Sequence, residues 1–327
     1  MNKYLRIVAL IFALVMLLCA CKPGSGSGTD STSDTTEGGT VIESSGETQD
    51  TTTAGETEPQ TETEPETEPP AETTTDVNNP PEDEPEPSAY ISADKENTVT
   101  LKHIMNINSI GNHNVLQGAC TDGKYAYVIL ENQKVDPHLC IIRKIELETW
   151  KVVADSQPLA IDHGNDICYN SKTGMLVVSH NAPDRTKVSF INPDTLEVTE
   201  TIKIDYEIYS ITYNPKLDRY ALGISHGYNF VIVDSNFKYV GKKIIAGKNT
   251  GFTKQGMDSD SKYIYFVQSW ENCIVVYDWE GNHIKTINFE DKIKHESEAI
   301  FHFGESFYIT FNVDYKTYGA LYKVDIR

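Results

Sequence analysis

Lys254–Phe289, KQGMDSDSKYIYFVQSWENCIVVYDWEGNHIKTINF, reads as four short β-strands in succession. Gln255–Asp258 is a brief first strand. It is closed by Asp258-Ser259-Asp260-Ser261, whose side chains bond their own backbone in turns. Lys262–Gln268 is dense in aromatic and β-branched residues, the composition of a strand buried on both faces. After a loop at Ser269–Asn272, Cys273–Asp278 is a third strand of the same kind. Trp279-Glu280-Gly281-Asn282 supplies a hairpin turn, with Gly where a positive φ is needed. His283–Phe289 alternates apolar and polar residues, as an outer strand exposed on one side does. An inner strand, two buried middle strands and an amphipathic outer strand make one blade of a β-propeller.

The pattern recurs. First strands fall at Gln117–Cys120, Asn165–Cys168, Tyr209–Thr212, Gln255–Asp258 and Ser297–Ile300. Successive starts stand roughly 45 residues apart, the length of one four-stranded blade. Second strands follow at Lys124–Leu130, Met175–Ser179, Arg219–Ile224 and Ser306–Phe311, and third strands at Leu139–Ile145, Lys187–Asn192, Asn229–Asp234 and Ala320–Ile326. The last unit stops after three strands at Arg327, while the segment Thr98–Ile107 precedes the first complete unit. A ring that hides its edges pairs these two. The expected fold is all-β: a five-bladed propeller over residues 96–327, closed by its N-terminal strand. A two-sheet sandwich is the competing architecture.

Residues 1–21 read as a lipoprotein signal peptide. Lys3 and Arg6 precede the apolar run Ile7–Leu18, which is short for a membrane span and ends in Leu18-Cys19-Ala20-Cys21. This resembles a bacterial lipobox in which Cys21 receives a diacylglyceryl group, placing the protein on the extracellular face of the cell membrane. Residues 22–95 hold nineteen acidic side chains against two lysines, among Thr, Ser, Gly and Pro. So little of this can be buried that a disordered tether is expected. The net charge of −20 is mainly the tether's. The remaining, mildly acidic domain lacks the basic stripe that a nucleic-acid binder needs.

In a propeller, the loops between second and third strands and those entering the next blade share one face. Aligned ends of second strands put Glu131, His180, His226, Trp270 and Asn312 there, and the entry loops add His163 and His295. One position of the first strands carries Asp166, Ser210 and Glu298, and should face the central channel because its neighbour is apolar in every unit. The expected ligand site is therefore His163, Asp166, His180, His226, Trp270, His295, Glu298 and Asn312, polar groups converging around an aromatic ring. No His-x-x-x-His or Cys-x-x-Cys spacing is present, so no metal and no cofactor is expected. Cys120, Cys140, Cys168 and Cys273 lie inside strands, where thiols pack as small hydrophobes; a bridge between the equivalent Cys120 and Cys168 is the alternative.

Gln117-Gly118, Asp122-Gly123, Leu139–Leu147 and Glu148-Thr149-Trp150-Lys151-Val152 resemble the first blade of bacterial and plant glutaminyl cyclases, which are five-bladed propellers. Ser297-Glu298-Ala299 is loosely similar to that family's acidic stretch, whereas its Ser-Thr-Gly after the second strand is replaced by Ile129-Leu130-Glu131. The wider resemblance is to secreted NHL-type propellers, which implies the fold and a binding role. The sequence thus reads as a monomeric lipid-anchored binding module for a surface glycan, peptide or protein. The alternative is an extracellular enzyme, a glycoside hydrolase or lyase or a cyclase, using Glu298 or Asp166 as acid and base.

Overall fold

Five β-sheets stand in a ring, one for each repeat unit. The computed structural model describes residues 85–242 and 244–327. The signal peptide, Cys21 and the tether up to residue 84 lie outside the described residues. The first strand, β1 (Val99–Asn108), belongs to the last blade. Blade I is β2 (Val115–Thr121), β3 (Tyr125–Asn132), β4 (Leu139–Glu146) and β5 (Lys151–Asp155). Blade II is β6 (Asp166–Asn170), β7 (Met175–Ser179), β8 (Lys187–Ile191) and β9 (Val198–Lys203). Blade III is β10 (Ile208–Asn214), β11 (Arg219–Ile224) and β12 (Phe230–Asp234). Blade IV, from the stretch quoted first, is β13 (Thr253–Ser259), β14 (Tyr263–Ser269), β15 (Cys273–Asp278) and β16 (His283–Asn288). Blade V is β17 (Glu296–Phe303), β18 (Ser306–Asn312) and β19 (Tyr318–Ile326), completed by β1.

The closure expected from the sequence is present. β1 runs antiparallel to β19 from Val99 opposite Ile326 to Asn108 opposite Tyr318, and Thr98 and Arg327 exchange backbone hydrogen bonds beyond it. Both ends of the ring thereby share one blade, so the ring opens only if that pairing is lost. Blade III departs from the four-strand pattern. Among the described residues its outer edge holds two isolated bridges, Val233 to Tyr239 and Phe230 to Ile245, instead of a fourth strand. The intervening Gly241 at φ 76° turns the chain away from an extended path.

Burial explains the ring. Inner and middle strands such as β3, β10 and β14 are buried along nearly their whole length, whereas the outer β5 and β9 are exposed. The apolar side chains form clusters between neighbouring blades. Val177 and Val188 meet Ile211 and Leu222 between II and III, and Ile107, Phe301 and Leu321 meet Leu116 and Val128 between V and I. Each fully buried aliphatic or aromatic side chain here stabilises the fold by about 1.5–3 kcal/mol. The four cysteines are free and packed in these layers, with no Cys120–Cys168 bridge.

The turn between first and second strands, on the face opposite the expected site, repeats a small device. In blade I, Asp122 accepts from the backbone N–H of Lys124 and Tyr125 and from the Tyr127 hydroxyl. In blade IV, Asp260 accepts from Lys262, Tyr263 and Tyr265 in the same way. The remaining reach of Asp260 is taken by the segment that precedes β1. Residues 86–91, whose composition placed them in the tether, belong to the folded body, so the linker boundary at residue 95 is drawn too late. The Ser88 N–H donates to Asp260 at 3.0 Å, Glu86 accepts from Ser261, and Ile91 is buried among Tyr263, Phe289, Phe307 and Ile326. The Tyr90 ring lies 4.0 Å from the Arg327 guanidinium. Acidic, proline-rich residues read as solvated, but here the carboxylate finds donors, a backbone N–H finds an acceptor and one apolar side chain finds a core.

Candidate functional site at the channel mouth

The first-strand position expected to face the channel is occupied in order by Gly118, Asp166, Ser210, Gly256 and Glu298. The ladders of β2, β10, β13 and β17 each slip by a bulge around this position, while β6 does not. A bulge leaves backbone N–H groups without ladder partners. Asp166, on the regular strand, takes them up: its carboxylate accepts from Ile211 at 3.0 Å, Met257 at 2.9 Å and its own neighbour Ile167 at 3.0 Å. Glycine at 118 and 256 makes room, since a Cβ on Gly118 would stand 2.4 Å from the Asp166 Cα. Asp166 is fully buried, and burial raises its pKa well above the usual carboxylate range against the lowering effect of the three N–H donors. It staples blades II, III and IV together at the axis and presents no free oxygen to a ligand.

Glu298 occupies the aligned position in blade V with different partners. The Asn312 amide donates to it at 2.6 Å, and Asn312 also bonds both backbone groups of Leu116 in blade I. Burial, followed by the neighbouring Glu296 charge, raises the Glu298 pKa well above normal. The two carboxyls are neighbours on β17, and burial raises the pKa of Glu296 as well. Glu296 is half-buried and accepts from Gln255 at 3.4 Å and from the Tyr315 hydroxyl. Two adjacent carboxyls near the mouth, one buried and one half-buried, thus each disfavour the other's charge.

In the adjoining blade I stands another carboxylate, Glu131, fully buried at the end of β3 and close enough to contribute to the raised Glu298 pKa. Its Oε2 accepts from the amides of Gln117 at 3.1 Å and Gln133 at 2.8 Å. Its Oε1 lies 2.5 Å from His138 Nδ1 and 2.6 Å from His163 Nδ1. His138 ends the β3–β4 loop. His163 rides on a tight turn between Asp162 and Gly164, both at positive φ, in the loop entering β6. Lys254 completes the rim: its ammonium donates to the carbonyls of Ile224, Ser225 and Gly227 and lies 4.2 Å from the Tyr209 ring centre. Burial brings its pKa down to about 8.

The other expected residues are spread more widely. Trp270 is 55% exposed on the β14–β15 turn, where it and Glu271 both adopt positive φ. Asn272 ties that turn to the loop entering β17 by donating to the carbonyls of Ile293 and His295 and accepting from the Ser297 N–H. His295 is half-buried on that loop. His226 lies at the rim in an exposed ion pair with Glu207 at 3.0 Å. His180 does not line the mouth. It is enclosed, with Nδ1 donating to Asp162 and Nε2 accepting from Ser189, and burial lowers its pKa. The structure therefore groups Glu298 with Asn312 and places His295 and Trp270 on turns tied together by Asn272, while His163 joins Glu131 of blade I. It withdraws Asp166 and His180 into the framework. Sequence reasoning missed His138, Gln117, Lys254 and Glu296, and left Glu131 out of the ligand set although the strand alignment had marked its position.

No known protein family matches the chain by sequence, and no curated protein is significantly similar to it. Among solved structures it is similar to Myxococcus xanthus glutaminyl cyclase, at 14% identity and TM-score 0.39 over 53% of this chain and 73% of that one. It is also similar to a calcium-binding regucalcin from Agrobacterium tumefaciens, at 12% identity and TM-score 0.43 over 65% and 90%. A nidogen/laminin complex gives 13% identity and TM-score 0.44 over 65% and 85%. The blade order and its closure make this chain a five-bladed β-propeller.

Proposed function

We propose that the propeller is a binding module for a surface glycan, held on the extracellular face of the membrane by a diacylglyceryl group on Cys21. The carrying observation is the half of the mouth in which an exposed, strained tryptophan stands on a turn tied to the strand that carries the neighbouring carboxyls Glu296 and Glu298. Positive φ at two successive residues with side chains costs on the order of 1 kcal/mol each, and such strain concentrates at ligand sites. An exposed indole offers a flat apolar face to a sugar ring, and the Glu296–Glu298 pair with Asn312 offers acceptors and a donor for its hydroxyls. Glu86–Ile91, the first described residues, pack on the face opposite the mouth and leave the mouth uncovered by that segment.

The test is binding of the full chain to a panel of cell-wall polysaccharides and fragments by calorimetry. Trp270→Ala should weaken the best ligand at least about 10-fold, consistent with stacking worth roughly 1.5 kcal/mol. A panel without a ligand, or an affinity indifferent to Trp270, would remove the reading. A second reading, catalysis, is favoured by the same pair: burial and the neighbouring Glu296 raise the Glu298 pKa, the direction a general acid requires. It predicts turnover of the bound glycan that disappears in Glu298→Gln. Asp166 is not a candidate for that role, because its oxygens are engaged by backbone N–H groups.

A further inference from the structure

We infer that Glu131, His138 and His163 form a binding site for one divalent transition-metal ion of the zinc class. The three ligand atoms, Oε1 and the two Nδ1, lie within 4.8 Å of one another. They come from three separate places, the end of β3, the β3–β4 loop and the loop entering blade II, and converge on one point at the mouth. Two imidazoles and one carboxylate are the donor set of borderline ions, and with three protein ligands a coordination position remains for water or a bound molecule. Tetrahedral ligands at about 2.0–2.1 Å from zinc stand about 3.3 Å apart, so each Nδ1 needs to draw back from Oε1 by less than about 1 Å while the two Nδ1 atoms, within 4.8 Å, move closer by no more than about 1.5 Å.

The support around the site has the form metal ligands require. Glu131 is fully buried, and its other oxygen is fixed by the Gln117 and Gln133 amides, which leaves Oε1 aimed at the histidines. The His163 backbone is pinned by N–H donation to Ala182 and by the Gly164 N–H to Ile161. The His138 and His163 side chains are 35% and 23% exposed, so an ion reaches them from solvent. On binding, each neutral imidazole carries its proton on Nε2 and turns its Nδ1 lone pair to the ion, replacing the hydrogen bond to Glu131. Hard ions such as calcium prefer six or more oxygens, which this site does not offer.

The inference stands apart from the glycan reading, since it needs neither Trp270 nor Glu298. It is tested on the full chain by zinc calorimetry and by the visible absorption of added cobalt(II). Wild type should take up one zinc equivalent that millimolar calcium does not displace, and should give a cobalt band of low-symmetry coordination. His138→Gln and His163→Gln should each weaken zinc about 10- to 100-fold and abolish the band, with the far-ultraviolet dichroism of a folded propeller retained. His226→Gln, at the rim but outside the cluster, should leave both unchanged. No stoichiometric zinc in wild type, displacement by calcium, or an unaltered titration in the His138→Gln/His163→Gln double variant would overturn it. The wild-type titration decides the matter even if a variant does not fold.

Discussion

Asp166 and Glu298 occupy the same position of the repeat in blades II and V, both are buried, and both have pKa values raised by burial. They nonetheless do different work. Asp166 accepts three backbone N–H groups, two of them released by bulges in other blades. Glu298 meets only side chains, Asn312 and a neighbouring carboxyl that opens toward solvent. A buried carboxylate saturated by the backbone is part of the frame. One held by other side chains beside a second carboxyl is available for chemistry. The same contrast separates the two faces of the ring. The face away from the mouth is capped by satisfied Asp turns and the segment before β1, while the mouth keeps acceptors and an exposed indole.

Asp166→Ala should break the comparison most severely. It leaves buried N–H groups of Ile211 and Met257 without acceptors, at about 1–3 kcal/mol each, so a loss of about 3–5 kcal/mol is expected in urea unfolding. A loss below about 1 kcal/mol would place Asp166 back among the ligand candidates. Next comes Ile91→Ala on the capped face, where truncating a buried aliphatic residue should cost about 2–4 kcal/mol. A neutral result would return residues 86–91 to the tether.

A pH titration of stability sharpens the contrast further. Burial disfavours a charged His302, but Asp258 at 2.7 Å outweighs it and takes the imidazole up to about 9. A raised histidine pKa stabilises the fold fully below about 6.5 and ceases to do so as pH rises through about 9. Wild type should therefore lose roughly 1–3 kcal/mol relative to His302→Gln across that window. Parallel curves for the two proteins would mean the pair contributes nothing.

The architecture was legible because each blade's inner and middle strands carry apolar side chains on both faces, and because three strands at one end and a spare one at the other have a single edge-free solution. That blade III shows no fourth strand among the described residues was not, since its outer residues look as amphipathic as any other edge. Residues 86–91 were hidden by acidic, proline-rich composition, with only Tyr90-Ile91 hinting at burial. Strand alignment put His163 and Glu298 on one face, where the structure also has them. It could not say that His180 turns inward to Asp162 and Ser189, because that depends on side-chain direction. His138 lies in a loop of blade I and meets its partner from the next blade, a pairing that no spacing along the chain encodes.

The most direct test of this division of labour compares Asp166→Asn with Glu298→Gln, reading unfolding free energy and glycan affinity on the same samples. A raised carboxyl pKa stabilises the fold below about 4.5 and costs stability as pH rises above it, so at pH 7 an uncharged amide at position 298 should leave stability unchanged or slightly higher. The account predicts that Glu298→Gln loses affinity at least about 10-fold while keeping its stability, and that Asp166→Asn loses stability while its folded fraction binds as wild type does. Full affinity in Glu298→Gln, or a folded Asp166→Asn protein that no longer binds, would contradict it.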